Sequence, residues 1–264
     1  MKKNVLRELL NQGKPTLGTH VLIPWPGMAE LIGLTGAFDY IEYVGEYSTF
    51  TTEQLENFGR AIDLFPDMSS MMKVEEQTRG FIAQRAIGHG LQNLLFTDCR
   101  SADDVRECIR LVLPETPEDR GTHGARMLRN VGYVQYSGTP EWVKAMEDTV
   151  MAFMIEKKTA MDELDEILSI PHVDMVQFGP NDYSISDGRP GQNSSPRTQQ
   201  AQRDMIEKAI KKGVAARVEI KSADQAKPFI EMGVKHFCVG WDLRIIFDWC
   251  KAQGPAMREA IGKG

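Results

Sequence analysis

A closed parallel (β/α)8 barrel, the TIM-barrel α/β arrangement, is the fold class this sequence predicts, on three observations. Its 264 residues lie close to the roughly 250 typical of that architecture. Short apolar runs alternate with amphipathic ones along the whole chain, and eight of the short runs read as strands. No shift in composition marks a second domain, so residues 1–264 are expected to form a single barrel.

The elements follow in order. An N-terminal helix is expected around Val5, Leu6, Leu9 and Leu10. Strands are expected at 17–23, 38–44, 69–74, 93–97, 150–156, 175–178, 214–218 and 236–239, each a short run rich in β-branched, aromatic or other apolar residues. Between them 54–65, 79–88, 102–111, 159–170, 203–212 and 223–232 carry helical spacing, for example Met161, Leu164, Ile167 and Leu168 in the fourth of these. Gly13, Gly90, Gly213 and Gly233 follow helical stretches, where a left-handed stop is easiest for glycine. Eight strands with helices between them favour closure into a barrel over an open sheet.

Composition narrows the function classes. With 42% hydrophobic and 26% charged residues the chain reads as an ordinary globular protein. Its net charge of -6 argues against nonspecific nucleic-acid binding. No apolar run approaches the ~18 residues of a membrane span, and the opening residues are broken by charge too soon for a signal peptide. Cys99, Cys108, Cys238 and Cys250 have no CxxC spacing, which makes a reducing cytoplasm the expected location.

The chemistry is expected where two short apolar runs each lead to a carboxylate. Phe153-Met154-Ile155 leads to Glu156, and Val176-Gln177-Phe178-Gly179-Pro180-Asn181 leads to Asp182, with the helical stretch 159–170 between them. Such a strand-helix-strand unit puts the two strands side by side and parallel, with both carboxylates at one rim. Two carboxylates at one rim could hold a divalent cation, which makes Glu156 and Asp182 the candidate metal ligands. The amides after Gly179-Pro180, including that of Asn181, open toward a helix-like turn that suits an anionic group, which makes Gly179, Pro180 and Asn181 candidate binding residues. Two long segments, 114–139 and 184–200, are expected as loops after the fourth and sixth strands, on the same face as these carboxylates.

These residues resemble the HpcH/HpaI aldolase family of metal-dependent class II pyruvate aldolases. The resemblance is carried by Gly179-Pro180-Asn181-Asp182-Tyr183-Ser184, by Asp187-Gly188-Arg189-Pro190-Gly191 after it and by Ile155-Glu156 ahead of it. Gly18-Thr19, Phe38-Asp39-Tyr40 with Gly45-Glu46, Arg120-Gly121 with Ala125-Arg126, and Val239-Gly240-Trp241-Asp242 extend it over nearly the whole chain. It implies a (β/α)8 barrel, a Mg, Mn or Co ion, Arg120 at the substrate, and cleavage of 4-hydroxy-2-oxo acids to pyruvate and an aldehyde. It also implies a homo-oligomer, dimers assembling into a hexamer, with the last helix (about 242–253) exchanged between subunits. The apolar face of that helix, Leu243, Ile246, Phe247 and Cys250, otherwise reads as a cap on its own barrel.

The chain departs from the family at two positions. Where the resemblance implies Glu-His, with the histidine as base, Gly45-Glu46-Tyr47-Ser48 stands. Where it implies an arginine polarising the keto oxygen, Lys73 stands, a point charge without the planar fork. Lys73, Tyr47 and the loop residue His123 are therefore the candidate catalytic residues, Lys73 as enolate partner and the others as acid or base. A Schiff base on Lys73 is a rival mechanism. His20 is expected inside the barrel as a core residue, and Asp98 either as a further rim acid or as a helix N-cap. A carbon-carbon lyase acting on a 2-oxo acid is the expected function. The alternatives are a related metal-enolate enzyme, such as a decarboxylase, hydrolase or tautomerase, and a ligand-binding relative without chemistry.

Overall fold

The computed structural model describes residues 2–263. Eight parallel strands close into one barrel in sequence order: β1 (Thr16–Val21), β2 (Tyr40–Val44), β3 (Ser69–Val74), β4 (Asn93–Phe96), β5 (Met151–Ile155), β6 (Met175–Phe178), β7 (Ala215–Ile220) and β8 (His236–Trp241). The helices are α1 (Val5–Asn11), α2 (Pro26–Gly33), α3 (Thr52–Asp63), α4 (Arg79–Gly88), α5 (Ala102–Val112), α6 (Pro140–Glu147), α7 (Lys158–Asp162), α8 (Leu164–Ile167), α9 (Pro180–Ser186), α10 (Pro196–Lys212), α11 (Lys227–Glu231) and α12 (Asp242–Ala260). All eight expected strands are present, displaced by at most a few residues at their ends.

Alternation along each strand divides the apolar residues into two cores. Tyr40, Met71, Leu95, Ala152, Met154 and Met175 fill the barrel, closed at its lower end by Leu6 of α1. Ile41, Met72, Leu94, Phe153, Val176 and Val218 face the helices. Glu156 continues the inward parity of Ala152 and Met154, so its carboxylate turns to the barrel axis just where β5 ends.

Three expectations need correction. The stretch 159–170 is two short helices, α7 and α8, interrupted at Glu163. The stretch 223–232 is a 3-10 turn followed by α11, with Pro228 in the first turn of that helix. The long segment 114–139 follows helix α5 rather than strand β4 and therefore lies at the opposite, N-terminal end of the barrel. There Arg129 reaches the His89 carbonyl and Asp63, at the ends of α4 and α3. The segment 184–200 does follow β6 and sits on the upper face, where Asp187 accepts hydrogen bonds from Arg189 and Arg197.

Helix α12 continues to Ala260 and does not cap its own barrel. Leu243, Ile246 and Phe247 are about half exposed, and Trp249 and Met257 more so. Its root is fixed by Asp242, whose carboxylate accepts the backbone N–H groups of Leu22 and Ile23. No described helix is long and apolar enough to cross a membrane.

Candidate active site at the upper rim of the barrel

Glu156 is only 2% exposed and is held by backbone geometry. Asp98, at the end of β4, adopts a left-handed φ of 57°, which aims its N–H at Glu156 Oε1 (2.9 Å). On the other side, a Cβ added to Gly179 would lie 2.5 Å from Glu156 Oε2 and 2.7 Å from its Cβ. Glycine at 179 is therefore the condition for the β6–α9 turn to pass this close to the carboxylate.

Further charges converge on the same point. Carboxylate oxygens of Glu46, Asp98 and Glu156 lie within 4.8 Å of one another. Lys73 from β3 pairs with Glu46 (2.6 Å), and Lys157 pairs with Asp98 (2.5 Å) and reaches toward Asp182 (3.7 Å). Asp182, in the first turn of α9, has a side chain 52% exposed. Four carboxylates face two ammonium groups, a formal excess of two negative charges. That excess and an all-oxygen donor set match one hard divalent cation. Asp98 is thus a rim acid and not a helix cap, because Ser101 caps α5 through a capping box with Asp104.

The protonation states follow from this arrangement. Burial pushes the Glu156 carboxyl up to about 7, aided by the charges of Asp98 and Asp182 and opposed by the Asp98 amide and Lys73. Burial works against the Lys73 charge too, but Glu46 and Tyr47 outweigh it and hold the ammonium above the ordinary lysine range. A lysine held charged is a poor nucleophile, which weighs against a Schiff base at this position. Tyr47 is exposed, with Lys73 Nζ 5.3 Å from the centre of its ring. Partial desolvation of its phenol at the crowded rim raises the Tyr47 pKa, and the group is neutral at pH 7.

The residues proposed from sequence divide into two groups. Glu156, Asp182, Lys73, Tyr47 and the turn Gly179-Pro180-Asn181 gather at one rim. His123 and Arg120 do not reach it, since both belong to the segment beyond the far end of α5. His123 is 2% exposed, with its backbone N–H on the Leu113 carbonyl and Nδ1 3.3 Å from the Val112 carbonyl. Its ring stands edge-on to Trp142, and burial drives its pKa down to about 4. Arg120 is exposed in a left-handed turn beside it. The segment that carries them leaves α5 and not β4, which puts both residues at the opposite end of the barrel.

Sequence reading also missed residues. Glu46 and Lys157 were visible only as neighbours of assigned positions, and their partners come from other strands. Deeper in the barrel, Arg217 and Glu42 form a fully buried ion pair, with Arg217 also donating to Tyr40 (2.7 Å) and Gln177 (2.5 Å). The signal for this pair was present, because each charge interrupts a strand at an inward-facing position.

Comparison with known proteins identifies the family to which this barrel belongs. The sequence profile of the HpcH/HpaI aldolase/citrate lyase family matches residues 53–248. A 2-keto-3-deoxy-L-rhamnonate aldolase of Escherichia coli O17:K52:H18 (strain UMN026 / ExPEC) is 26% identical over 246 residues, covering 93% of this chain and 90% of the relative. The HpcH/HpaI aldolase/citrate lyase family protein from Burkholderia cenocepacia J2315 superposes with a TM-score of 0.86 at 21% identity, over 98% of this chain and 99% of that one. The HpcH/HpaI aldolase from Desulfitobacterium hafniense DCB-2 gives 0.82 at 22% identity, over 96% of each chain. The solved structures speak for the barrel alone, whereas the profile covers most of the sequence and includes both Glu156 and Asp182. On that match the chain belongs to the HpcH/HpaI aldolase/citrate lyase family, and it is an enzyme of the carbon-carbon lyase type.

Proposed function

We propose that the protein cleaves a 4-hydroxy-2-oxo acid to pyruvate and an aldehyde, with a divalent cation (Mg, Mn or Co) held by Glu156 and Asp182. The observation that carries this reading is the buried, amide-clamped Glu156 carboxylate within 4.8 Å of the Glu46 and Asp98 carboxylates, with Asp182 joined to the same rim through Lys157. The aldolase relative, whose name specifies a 2-keto acid, supports the substrate class. When bound, the cation supplies Lewis-acid stabilisation of negative charge on the keto oxygen.

The chain's own residues account for the rest. Lys73, kept charged by Glu46, places a positive group beside the developing enolate. In the Gly179-Pro180-Asn181 turn the Gly179 N–H is spent on the Ile155 carbonyl and Pro180 has none, so the N–H groups of Asn181 and Asp182 at the start of α9 receive the substrate carboxylate. Tyr47, neutral at pH 7, faces the C4 oxygen as a hydrogen-bond donor, and in the bond-forming direction it is the acid that the nascent alkoxide needs. The protein works as a homo-oligomer, a reading supported by the uncovered apolar side chains of α12. Its four free cysteines suit a reducing cytoplasm.

The test is pyruvate release from a panel of 4-hydroxy-2-oxo acids with added Mg²⁺, Mn²⁺ or Co²⁺, alongside calorimetric Mn²⁺ titration of Glu156→Ala and Asp182→Ala. Metal-dependent pyruvate formation in the wild type, with Mn²⁺ binding lost in the variants, is the expected result. Unchanged Mn²⁺ affinity in both variants would remove the metal assignment.

A further inference from the structure

One buried titratable group is left over by this mechanism. His20, on β1, is 4% exposed and directed into the barrel. Its Nδ1 lies 3.7 Å from Glu42 Oε1 and its Nε2 lies 3.5 Å from Glu219 Oε1. Nε2 is buried and makes no well-formed hydrogen bond. Glu219 is different: its side chain is 40% exposed, it stands at the upper end of β7, and Gln177 Nε2 donates to its other oxygen (3.2 Å). Glu219 is the penultimate residue of β7, so this cluster opens on the same upper rim as the proposed substrate position.

The groups around His20 come from every strand packed against it. Glu42 of β2 lies below, itself clamped by Arg217 of β7. Cys238 of β8 lies beside it, and the Trp241 ring stands edge-on at 5.8 Å. Burial alone would lower the imidazole pKa. Cys238, Glu42 and Glu219 outweigh that and carry it up to about 9. The arrangement is a proton held between a deep carboxylate and one that opens on the mouth of the barrel.

We propose that Glu219, with His20 as the positioning and proton-holding residue behind it, delivers the proton to C3 of the enolate and removes it in the bond-forming direction. This deepens the proposed lyase reading and rests on it. When the C3–C4 bond breaks, its electron pair enters the enolate and the C4 oxygen becomes a carbonyl, its proton passing to the Tyr47 hydroxyl oxygen as that hydroxyl gives its own proton to solvent. His20 Nε2 passes its proton to the Glu219 carboxylate, which gives it to C3, forming pyruvate and leaving the imidazole neutral. The pair is reloaded from solvent at the mouth, so no net proton is consumed. The carbon-centred and oxygen-centred proton transfers are thereby divided between the β1/β7 side and Tyr47.

The experiment is deuterium incorporation into pyruvate C3 in D2O, read by mass spectrometry with full-length protein and Mg²⁺, Mn²⁺ or Co²⁺. Glu219→Gln should lower the exchange rate ~10²-fold, with pyruvate KM and Mn²⁺ affinity unchanged and partial recovery in Glu219→Asp. In the wild type, His20 followed by NMR should remain protonated beyond pH 8, and its titration should move down in Glu219→Gln. Exchange at the wild-type rate in Glu219→Gln and His20→Gln would overturn the assignment. So would a loss matched by an equal loss of Mn²⁺ affinity, or a His20 titration near its ordinary value. A wild type that exchanges no deuterium with any of the three metals overturns the lyase reading itself, and the assignment with it.

Discussion

Metal binding at the rim should depend on pH in a way that an ordinary carboxylate would not produce. The Glu156 carboxyl is raised from 4.5 to about 7 in the metal-free protein, chiefly by burial. A cation requires the ionised form, so binding must expel a proton wherever the group is protonated. At pH 5 only about 1% of a group with that pKa is ionised, against about 90% at pH 8, so Mn²⁺ affinity should fall ~10²-fold between them; an unshifted carboxyl would lose little. The sign for stability is opposite. A raised carboxyl pKa means the fold favours the neutral form, so its contribution is fully present below 4.5 and is lost as pH rises through 7. Over 2.5 pH units this loss is about 3 kcal/mol in the metal-free protein, and the cation reverses it. Stabilisation by Mn²⁺ should therefore grow from pH 5 to pH 8. Calorimetry in buffers of different ionisation enthalpy should count about one proton released at pH 5.5 and almost none at pH 8. Affinity independent of pH from 5.5 to 8 would refute both the burial argument and the placement of Glu156 as a ligand.

Gly179→Ala places a methyl 2.5 Å from Glu156 Oε2; relief costs about 1–3 kcal/mol, and Mn²⁺ affinity should drop by at least ~10-fold with the fold retained by circular dichroism. Arg217→Met leaves Glu42 ionised in the barrel core without its partner, so chemical denaturation should show a loss of about 3–5 kcal/mol, largely recovered when Glu42→Leu is added. His123→Ala should leave kcat and its pH profile unchanged while lowering stability by about 2 kcal/mol. His123 is kept neutral with a pKa of about 4, so the wild type loses stability as pH falls from 6.5 toward 4, and the variant should lose less over that window.

The sequence by itself determined the barrel. Strand runs such as Met151–Ile155 and Met175–Phe178 are too short and too apolar to be anything but buried parallel strands, and their eightfold alternation with helical periods admits few other topologies. It also placed Glu156, Gly179 and Asp182 at the upper rim, because residues that follow a strand end, or open the helix after it, lie there wherever the strand sits in the barrel. The rim positions of Lys73, near the end of β3, and Tyr47, just beyond β2, follow from the same strand boundaries. What the sequence left open was which residues meet across strands. Glu46 with Lys73, Lys157 with Asp98, and Glu219 with His20 are pairs whose members lie far apart along the chain, and only barrel closure brings them together. His123 shows the converse, since its chemistry was readable but its place depended on whether the polar segment left a strand or a helix, and local periodicity does not encode that. Charge on an inward-facing position, as at Glu42 and Arg217, marks where tertiary pairing is obligatory, and the partner is then chosen by the register of the closed sheet.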